Sequence, residues 1–205
     1  ATISLDFDYD LTKKFTDEQY NDSLELDGEE DFLQIYENST NQVSYLTISA
    51  WVKPDYSQGS PESTVISKEK SFSLSINNNI QPEKVAKFSV FDGIKWTTVQ
   101  TTRIIDEEWT FLAATFDGDS IGIGVNDGAW ETELVSNIPA IHNGKLVTTT
   151  VDNLSSEEDI VIGAYINTLR DFKPHNKFSG EIDDVLLFDS LLDESQIQQI
   201  YNENA

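Results

Sequence analysis

The sequence predicts an all-β domain: a sandwich or barrel of short strands, closed by one short C-terminal helix. Three observations predict this class. Apolar and polar residues alternate with a period of two, turn-forming residues separate the alternating segments, and a helical pattern occurs convincingly only near the C-terminus. Short strands at this spacing favour antiparallel sheets over alternating β-α units.

The alternation predicts strands along most of the chain. Phe72, Leu74 and Ile76 alternate with serines, which gives that strand one buried face. Residues 111–116 are apolar throughout, as in a strand covered on both faces. A short strand is also expected within 146–151. The predicted strands cover residues 47–53, 71–76, 87–90, 111–116, 121–125, 159–163 and 182–188.

The helix prediction depends on its start signal. Asp193 followed three residues later by Gln196 resembles a capping box. Leu192 and Ile197 flank this signal as a hydrophobic staple would. Ile197 and Tyr201 then share one face of the helix, so we expect that face to dock on the sandwich.

Composition limits the function classes. The 205 residues include 37 acidic and 13 basic ones, a formal net charge of −24, so nucleic acid and anionic membranes are not expected partners. No apolar run is long enough to insert into a membrane. Cysteine is absent, which excludes thiolate chemistry. Methionine is absent even at position 1, so we expect the chain to be processed or cut from a larger protein. No internal repeat or convincing linker divides the sequence, so we expect a single domain over 1–205.

Five motifs follow one another in a recognisable order: LDGEEDFLQI at 26–35, TISAWVKP at 47–54, EWTFLAATFDG at 108–118, VNDG at 125–128 and GEIDDVLLF at 180–188. Together they resemble the laminin-G-like group of the concanavalin A-like lectin and glucanase superfamily, which includes the pentraxins. The resemblance implies a concanavalin A-like jelly-roll sandwich of two curved antiparallel sheets with a short C-terminal helix. It leaves function open, because this fold serves binding modules, adhesins, spacers and some hydrolases.

A catalytic role is not favoured. Hydrolases of the wider superfamily carry a strand motif of three acids, and Glu181 and Asp183 match its first two positions. Leu186 occupies the position of the third acid, which leaves no general acid for a carboxylate pair. Neither His142 nor His175 lies in a nucleophile motif.

The resemblance implies one structural calcium ion that joins the chain termini. Carried over to this sequence, its ligands are Asp8, the carbonyl of Gly28, Asp31 and Asp183. Oxygen ligands of this kind suit Ca²⁺ better than a transition metal. The alternative is that Asp31 and Asp183 only accept hydrogen bonds from loop amides. The acidic surface as a whole fits either calcium or general solvation, for example in a saline medium.

A ligand surface is suggested by small side chains. The serines of 71–76, together with Gly122 and Gly124, predict a shallow floor on the outside of the sandwich. Trp51 and Trp109 fall within family motifs and are expected in the core.

Four residues are candidates for contact with a ligand. Trp96 and Trp130 flank hairpin turns, whereas Tyr165 and Arg170 lie before the last strand, at the expected rim. Aromatic rings with planar polar groups are what sugar binding requires. The alternative for each is packing at the rim of the sandwich.

These features lead to one preferred function and two alternatives. The preferred function is a non-catalytic extracellular or cell-surface module for recognition or adhesion, with a glycan as ligand and a structural calcium ion. The first alternative is a passive domain of a cell-surface layer, fibre or adhesin, which contacts a cell-surface protein or neighbouring domains of its parent chain. The second alternative is a glycan hydrolase of the same fold.

Overall fold

The computed structural model describes residues 2–5, 23–36, 43–58, 60–78, 82–135, 139–148, 151, 154, 156–168 and 170–203. A 3₁₀ turn spans Tyr56–Gln58, and the helix α1 spans Glu194–Glu203. The strands are β1 (Thr2–Leu5), β2 (Leu24–Asp27), β3 (Leu33–Ile35), β4 (Leu46–Pro54), β5 (Glu62–Lys68), β6 (Phe72–Asn77), β7 (Val85–Phe91), β8 (Trp96–Ile104), β9 (Thr110–Phe116), β10 (Ser120–Val125), β11 (Glu131–Leu134), β12 (Pro139–His142), β13 (Lys145–Thr148), β14 (Ile160–Ile162), β15 (Tyr165–Ile166), β16 (Pro174–His175) and β17 (Ser179–Phe188).

The strands form two large antiparallel sheets, which confirms the all-β prediction. The seven-stranded sheet has the order β1-β17-β4-β9-β10-β11, and β2 also pairs with β17. The six-stranded sheet has the order β3-β14-β5-β6-β7-β8. Two small pairs, β12–β13 and β15–β16, lie outside these sheets.

The core lies between the two large sheets and consists of alternate side chains from each. Ile48 and Val52 of β4 meet Leu74 and Ile76 of β6 in one cluster, and all four are fully buried. Burial of each such side chain contributes roughly 1.5–3 kcal/mol relative to exposure. The period-two pattern therefore defines an inner and an outer face for each sheet.

Strand β17 connects the two ends of the chain within one sheet. Its first half pairs with β2 and its second half with β1, so these two strands follow each other along the same edge. On its other side β17 pairs with β4, and the register shifts between Asp183 and Leu186. Asp184, with φ of 45°, lies at this bulge. The irregularity thus falls between the partner of Leu24, where β2 begins, and the partner of Leu5, where β1 ends.

The helix α1 covers part of the outer face of the seven-stranded sheet. Phe111, Ala113 and Ile197 form a second buried cluster, against which Trp51 and Tyr201 pack. Residues 111–116 are therefore covered on both faces, as predicted.

The helix begins with the predicted capping box. The Asp193 Oδ1 accepts the Gln196 amide at 2.9 Å, and the Gln196 Oε1 accepts the Asp193 amide at 2.9 Å. Leu192 packs beside Ile197, as the staple requires. Within the described residues, no helix is long and apolar enough to cross a bilayer.

Candidate functional site

The outer face of the six-stranded sheet carries a continuous polar surface across β6, β7 and β8. Leu74 pairs with Phe88, which pairs with Val99, and this row faces the core. The neighbouring rows point outwards because successive side chains of a strand alternate. We call the surface formed by these outward side chains the polar face. One outward row contains Ser73, Ser89 and Thr98, and the next contains Ser75, Lys87 and Gln100.

Aromatic side chains lie at one end of the polar face. Phe91 and Trp96 are a cross-strand pair with ring centroids 5.5 Å apart. The Tyr165 ring meets Trp96 nearly edge-on, with centroids 6.4 Å apart and planes inclined by 75°. All three rings are only partly buried. The polar face therefore begins at a cluster of three aromatic rings that remains open to contact.

The β15–β16 hairpin brings Tyr165 to this position. The Ser67 hydroxyl donates a hydrogen bond to the Ala164 carbonyl at 2.8 Å, and the Thr64 amide donates one to the Asn176 carbonyl at 2.8 Å. Both contacts fix the hairpin on β5. Tyr165 is far from Trp96 in sequence, but the hairpin on β5 brings its ring to the Trp96 indole.

An ion pair lies at the other end of the polar face. Lys87 Nζ is 3.1 Å from Glu62 Oε1, and the same oxygen accepts the Ser75 hydroxyl at 2.6 Å. Between this pair and the rings, the Ser89 and Thr98 hydroxyl oxygens are 2.7 Å apart. The face thus offers apolar rings, hydroxyl groups and a charged pair in succession.

A second set of charges surrounds Tyr165. The Tyr165 hydroxyl is hydrogen-bonded to the Glu69 carboxylate, and burial raises the pKa of both groups. Lys70 Nζ pairs with Glu158 Oε1 at 2.8 Å, and the Thr168 hydroxyl donates to the same oxygen at 3.0 Å. Tyr165 is therefore held by the Glu69 carboxylate, and the Lys70–Glu158 pair lies close enough to Glu69 to act on its charge.

The structure brings together two of the four predicted ligand residues, Trp96 and Tyr165. Arg170 is exposed in the loop that joins β15 to β16, on the same hairpin as Tyr165. Trp130 lies on the opposite side of the sandwich, where it packs against the cluster beneath α1. Whether each of these residues binds a ligand stays a prediction.

The predicted floor of serines and glycines is wrong as a single surface. The serines of 71–76 belong to β6 in one sheet, whereas Gly122 and Gly124 belong to β10 in the other. The glycines also do not leave open space. A Cβ atom at Gly124 would lie 2.9 Å from Cε2 of Trp130, so the indole of this chain occupies the room that the glycines provide.

The expectation of two core tryptophans is wrong for Trp109, which is 39% exposed just before β9. Trp51 is half-buried rather than part of the central core. Its ring stacks on Tyr201 of α1 at 5.6 Å and meets Phe111 at 5.5 Å. Both motif tryptophans therefore lie outside the space between the sheets.

The predicted calcium ligands fall into two places among the described residues. Gly28 and Asp31 lie in the loop after β2, where the Asp27 Oδ1 accepts the amides of Glu29, Glu30 and Asp31 and so lowers the Asp27 pKa. Asp183 lies beyond the other end of β2, since Ile182 pairs with Leu24.

Strand β2 has four residues. It therefore separates the loop of Gly28 and Asp31 from Asp183 by roughly 10 Å or more. Asp8 lies outside the described residues. Within the described ranges, no group of three or more His, Cys, Asp or Glu side chains could hold a metal ion. The described residues therefore do not fit a calcium site by themselves, and calcium stays a prediction.

The acidic motif of β17 is occupied by structural contacts. Glu181 accepts the Ser23 hydroxyl at 2.6 Å and pairs with Lys53 at 2.9 Å, and these contacts lower its pKa. The Asp183 Oδ1 accepts the Asp184 amide at 2.8 Å. A lowered pKa is the opposite of what a general acid needs at neutral pH.

Sequence reasoning missed three charged residues of this region: Glu62, Lys87 and Glu69. The alternation of β6 and β7 places Lys87 on an outward face, which is a usable signal. Glu62 begins β5 and Glu69 directly follows it, and this strand was not predicted, so their positions had no signal in the sequence.

The fold and the surface together define a jelly-roll sandwich of the lectin-like class. A model of the "Concanavalin A-like lectin/glucanases superfamily" matches residues 27–198, and the chain belongs to this family. No curated protein sequence is detectably similar to this chain.

Solved structures of the same fold support this classification. The CBM40 domain of the Ruminococcus gnavus IT-sialidase, solved with α2,3-sialyllactose, is 12% identical, with a TM-score of 0.63 over 88% of this chain and 96% of that one. The binding domain of Paraclostridial Mosquitocidal Protein 1 is 14% identical, with a TM-score of 0.61, and this chain spans 43% of its length. The SAP-like pentraxin of Limulus polyphemus is 15% identical, with a TM-score of 0.58 over 83% and 75% of the two chains. At these identities the likeness extends to the fold alone, and it confirms the jelly-roll prediction.

Proposed function

We propose that this domain is a non-catalytic carbohydrate-binding module that uses the polar face as its binding surface. The observation that carries the proposal is the Trp96–Tyr165 ring pair beside rows of hydroxyl groups and the Lys87–Glu62 ion pair. Sugars present apolar C–H faces and many hydroxyl groups. Aromatic rings bury the first, and fixed polar groups pair with the second.

The comparisons support this proposal at the level of the fold. The R. gnavus sialidase domain was solved bound to α2,3-sialyllactose, so a sandwich of this shape can present a glycan surface. The mosquitocidal-protein fragment is described as a binding domain. Recognition of a glycan is the property that this chain is proposed to share with the sialidase domain.

The absence of catalysis is part of the proposal. The acids nearest to a hydrolase motif are engaged elsewhere, since Glu181 is ion-paired with Lys53. Leu186 stands in place of a third acid. Incubation with a panel of glucans at high protein loading is expected to release no reducing ends, and release would overturn this part of the proposal.

The test of binding is a glycan array followed by titration of Trp96→Ala and Tyr165→Ala with the strongest ligand. Truncating an aromatic anchor typically costs about 2 kcal/mol or more, so each variant is expected to lose roughly thirtyfold in affinity. Trp109→Ala is the matched control, because it also removes a partly exposed indole but lies away from the polar face. Full affinity in both test variants would contradict the proposed surface.

Trp130→Ala tests whether Trp130, like Trp96, contacts the ligand. Because Trp130 packs against Gly122 and Gly124 on the other sheet, its truncation is expected to lower thermal stability without a specific loss of glycan affinity. A loss of affinity at unchanged stability would place the ligand on the opposite face.

We also propose an extracellular or cell-surface setting, with neighbouring domains of a larger parent chain as partners. The resemblance implies this setting, and an acidic, self-repelling surface is compatible with it. A structural calcium ion belongs to the same proposal, and its test is given below.

A further inference from the structure

Glu69 is a buried acid that the fold does not fully satisfy. It lies in the turn between β5 and β6, is 6% exposed, and receives the Tyr165 hydroxyl on its carboxylate. Its Oε2 atom is buried and has no hydrogen-bond partner. A buried polar atom without a partner costs free energy and calls for a physical explanation.

The position of this oxygen connects it to the proposed surface. Tyr165 links Glu69 to Trp96, because its hydroxyl bonds the carboxylate and its ring meets the indole. The carboxylate that carries the unpartnered acceptor is therefore connected to the aromatic end of the polar face through the Tyr165 side chain. A hydroxyl group on a sugar stacked there is the kind of donor that this oxygen lacks.

The charges around Tyr165 are predominantly negative. The Glu69 and Glu62 carboxylates act on the Tyr165 hydroxyl, and Glu158 acts on Glu69. Two ammonium groups of this region are already paired, Lys87 with Glu62 at 3.1 Å and Lys70 with Glu158 at 2.8 Å. The carboxylates beside Tyr165 would repel a negatively charged sugar, in a chain whose net charge is −24.

We infer that Glu69 is a ligand-binding residue and that the ligand is a neutral oligosaccharide, one of whose hydroxyl groups donates to Glu69 Oε2. This inference rests on the proposed function and adds the class of ligand to it. We expect sialylated, uronate-containing and sulfated glycans to bind more weakly, because the carboxylates beside Tyr165 repel them. Because protein atoms cover Oε2, the inference includes a rotation of the Tyr165 side chain when the ligand binds. That rotation changes the surroundings of Trp96.

The first experiment is an array of neutral and acidic glycans probed with the wild-type domain. Neutral glycans among the strongest ligands, with acidic derivatives of the same cores bound at least tenfold more weakly, support the inference. A preference for acidic glycans overturns it and leaves the proposed function standing. Binding of no glycan at all overturns the proposed function and this inference together.

The second experiment titrates Glu69→Gln with the strongest neutral glycan and follows tryptophan emission. Glutamine has nearly the same shape as glutamate and keeps one oxygen that can accept from Tyr165. It has no negative charge, and an NH2 group replaces the second carboxylate oxygen. We expect roughly a tenfold or greater loss of affinity and a smaller change of emission on binding. The melting temperature should stay equal or rise, because the variant removes a buried charge.

Glu133→Gln is the matched control, since Glu133 is an exposed acid on β11 of the other sheet. Equal affinities of wild type and Glu69→Gln would overturn the role of Glu69, even if neutral glycans bind. Arg170→Ala tests one of the exposed cations in the hairpin loop, which also contains Lys173. If acidic glycans bind best and this variant abolishes the preference, Arg170 rather than Glu69 selects the ligand.

Discussion

Gly180 lies in β17 between β2 and β4, at a point where the backbone of β4 comes very close. Its φ is +121°, a backbone conformation that residues with a Cβ atom rarely adopt. A Cβ there would collide with the Lys53 carbonyl and lie 3.0 Å from the Pro54 Cα. The close approach of β17 to β4 therefore requires glycine at this position.

Gly180→Ala is expected to destabilise the domain by at least about 2 kcal/mol, because strain and collision act together. The measurement is chemical denaturation followed by tryptophan emission. Gly144→Ala is the matched control: Gly144 also has a positive φ, of 75°, but a Cβ atom added there would meet nothing within 4 Å. Equal costs for the two variants would show that torsional strain alone, and not the close approach, makes Gly180 necessary.

Individual site residues were predictable only where a local pattern marks them. Trp96 follows a turn signal and Tyr165 precedes the last strand, and both reach the polar face. Glu69 has no such marker, because its importance comes from burial beside Tyr165. Trp130 has the same kind of marker as Trp96, yet it lies on the other sheet. A turn signal predicts where a strand begins, but not which surface the neighbouring ring joins.

The helix α1 is the element whose local sequence and tertiary contacts agree best. Its capping box and staple define its start, and its apolar face buries Ile197 against Phe111 and Ala113. The hydroxyl of Thr47 reinforces the connection to the sheet, since it donates to the Ser190 carbonyl and accepts the Leu192 amide.

Ile197→Ala is expected to cost about 2–3 kcal/mol, because it opens a cavity between the helix and the seven-stranded sheet. Thermal unfolding monitored by circular dichroism would measure this cost. Leu191→Ala is the control, since Leu191 is 47% exposed just before the helix and should cost less than about 0.5 kcal/mol. A similar small effect for both variants would mean that α1 adds little to the stability of the sandwich.

Strands with strict alternation were predicted, and strands with mixed composition were missed. Strand β6 reads as alternating apolar and serine residues and was found. Strand β5 carries a register shift between Thr64 and Ile66, which interrupts its period. Strand β8 is rich in threonine and mostly exposed, so it lacks a clear apolar face. Bulges and edge positions remove the very pattern on which the prediction depends.

At the scale of the whole molecule, acidic groups with opposite pKa shifts make stability depend on pH. The pKa values of Asp27 and Asp55 are lowered by backbone hydrogen bonds, and that of Glu181 by the Ser23 hydroxyl. Their stabilisation is complete above the unfolded pKa and is lost as pH falls through the folded pKa. The pKa of Glu69 is raised by burial, so its ionisation opposes folding near neutrality.

We therefore expect the melting temperature to rise as pH falls from 8 towards about 5, and to fall below about pH 4. Protonation of Glu69 and the reduction of the net charge of −24 both contribute to the rise. Thermal unfolding at constant ionic strength measures the profile. A steady loss of stability from pH 8 downwards would contradict this assignment. The Glu69→Gln variant is expected to show a smaller rise.

The calcium prediction is tested by thermal unfolding in EDTA, Mg²⁺ and Ca²⁺ at one ionic strength. An ion that binds only the folded state adds about 2.7 kcal/mol at a hundredfold excess over its Kd. We expect Ca²⁺ to stabilise more than Mg²⁺, and Asp183→Asn to remove this difference. Asp31→Asn should retain the difference, because Asp31 and Asp183 lie beyond opposite ends of β2. Identical curves in all three solutions would show that calcium does not stabilise the fold.

The sequence by itself determined the fold class, the main strands, the C-terminal helix and the family. Each of these is a local or repeating property, because alternation, capping and turn chemistry act between residues close in the chain. Only the tertiary structure decided which outward faces meet. It separated Gly122 and Gly124 from the serines of β6 and placed Trp130 over those glycines. It also joined Tyr165 to Trp96 and buried Glu69 beside them. Contacts of this kind depend on sheet order and on the path of the β15–β16 hairpin, which no local pattern specifies.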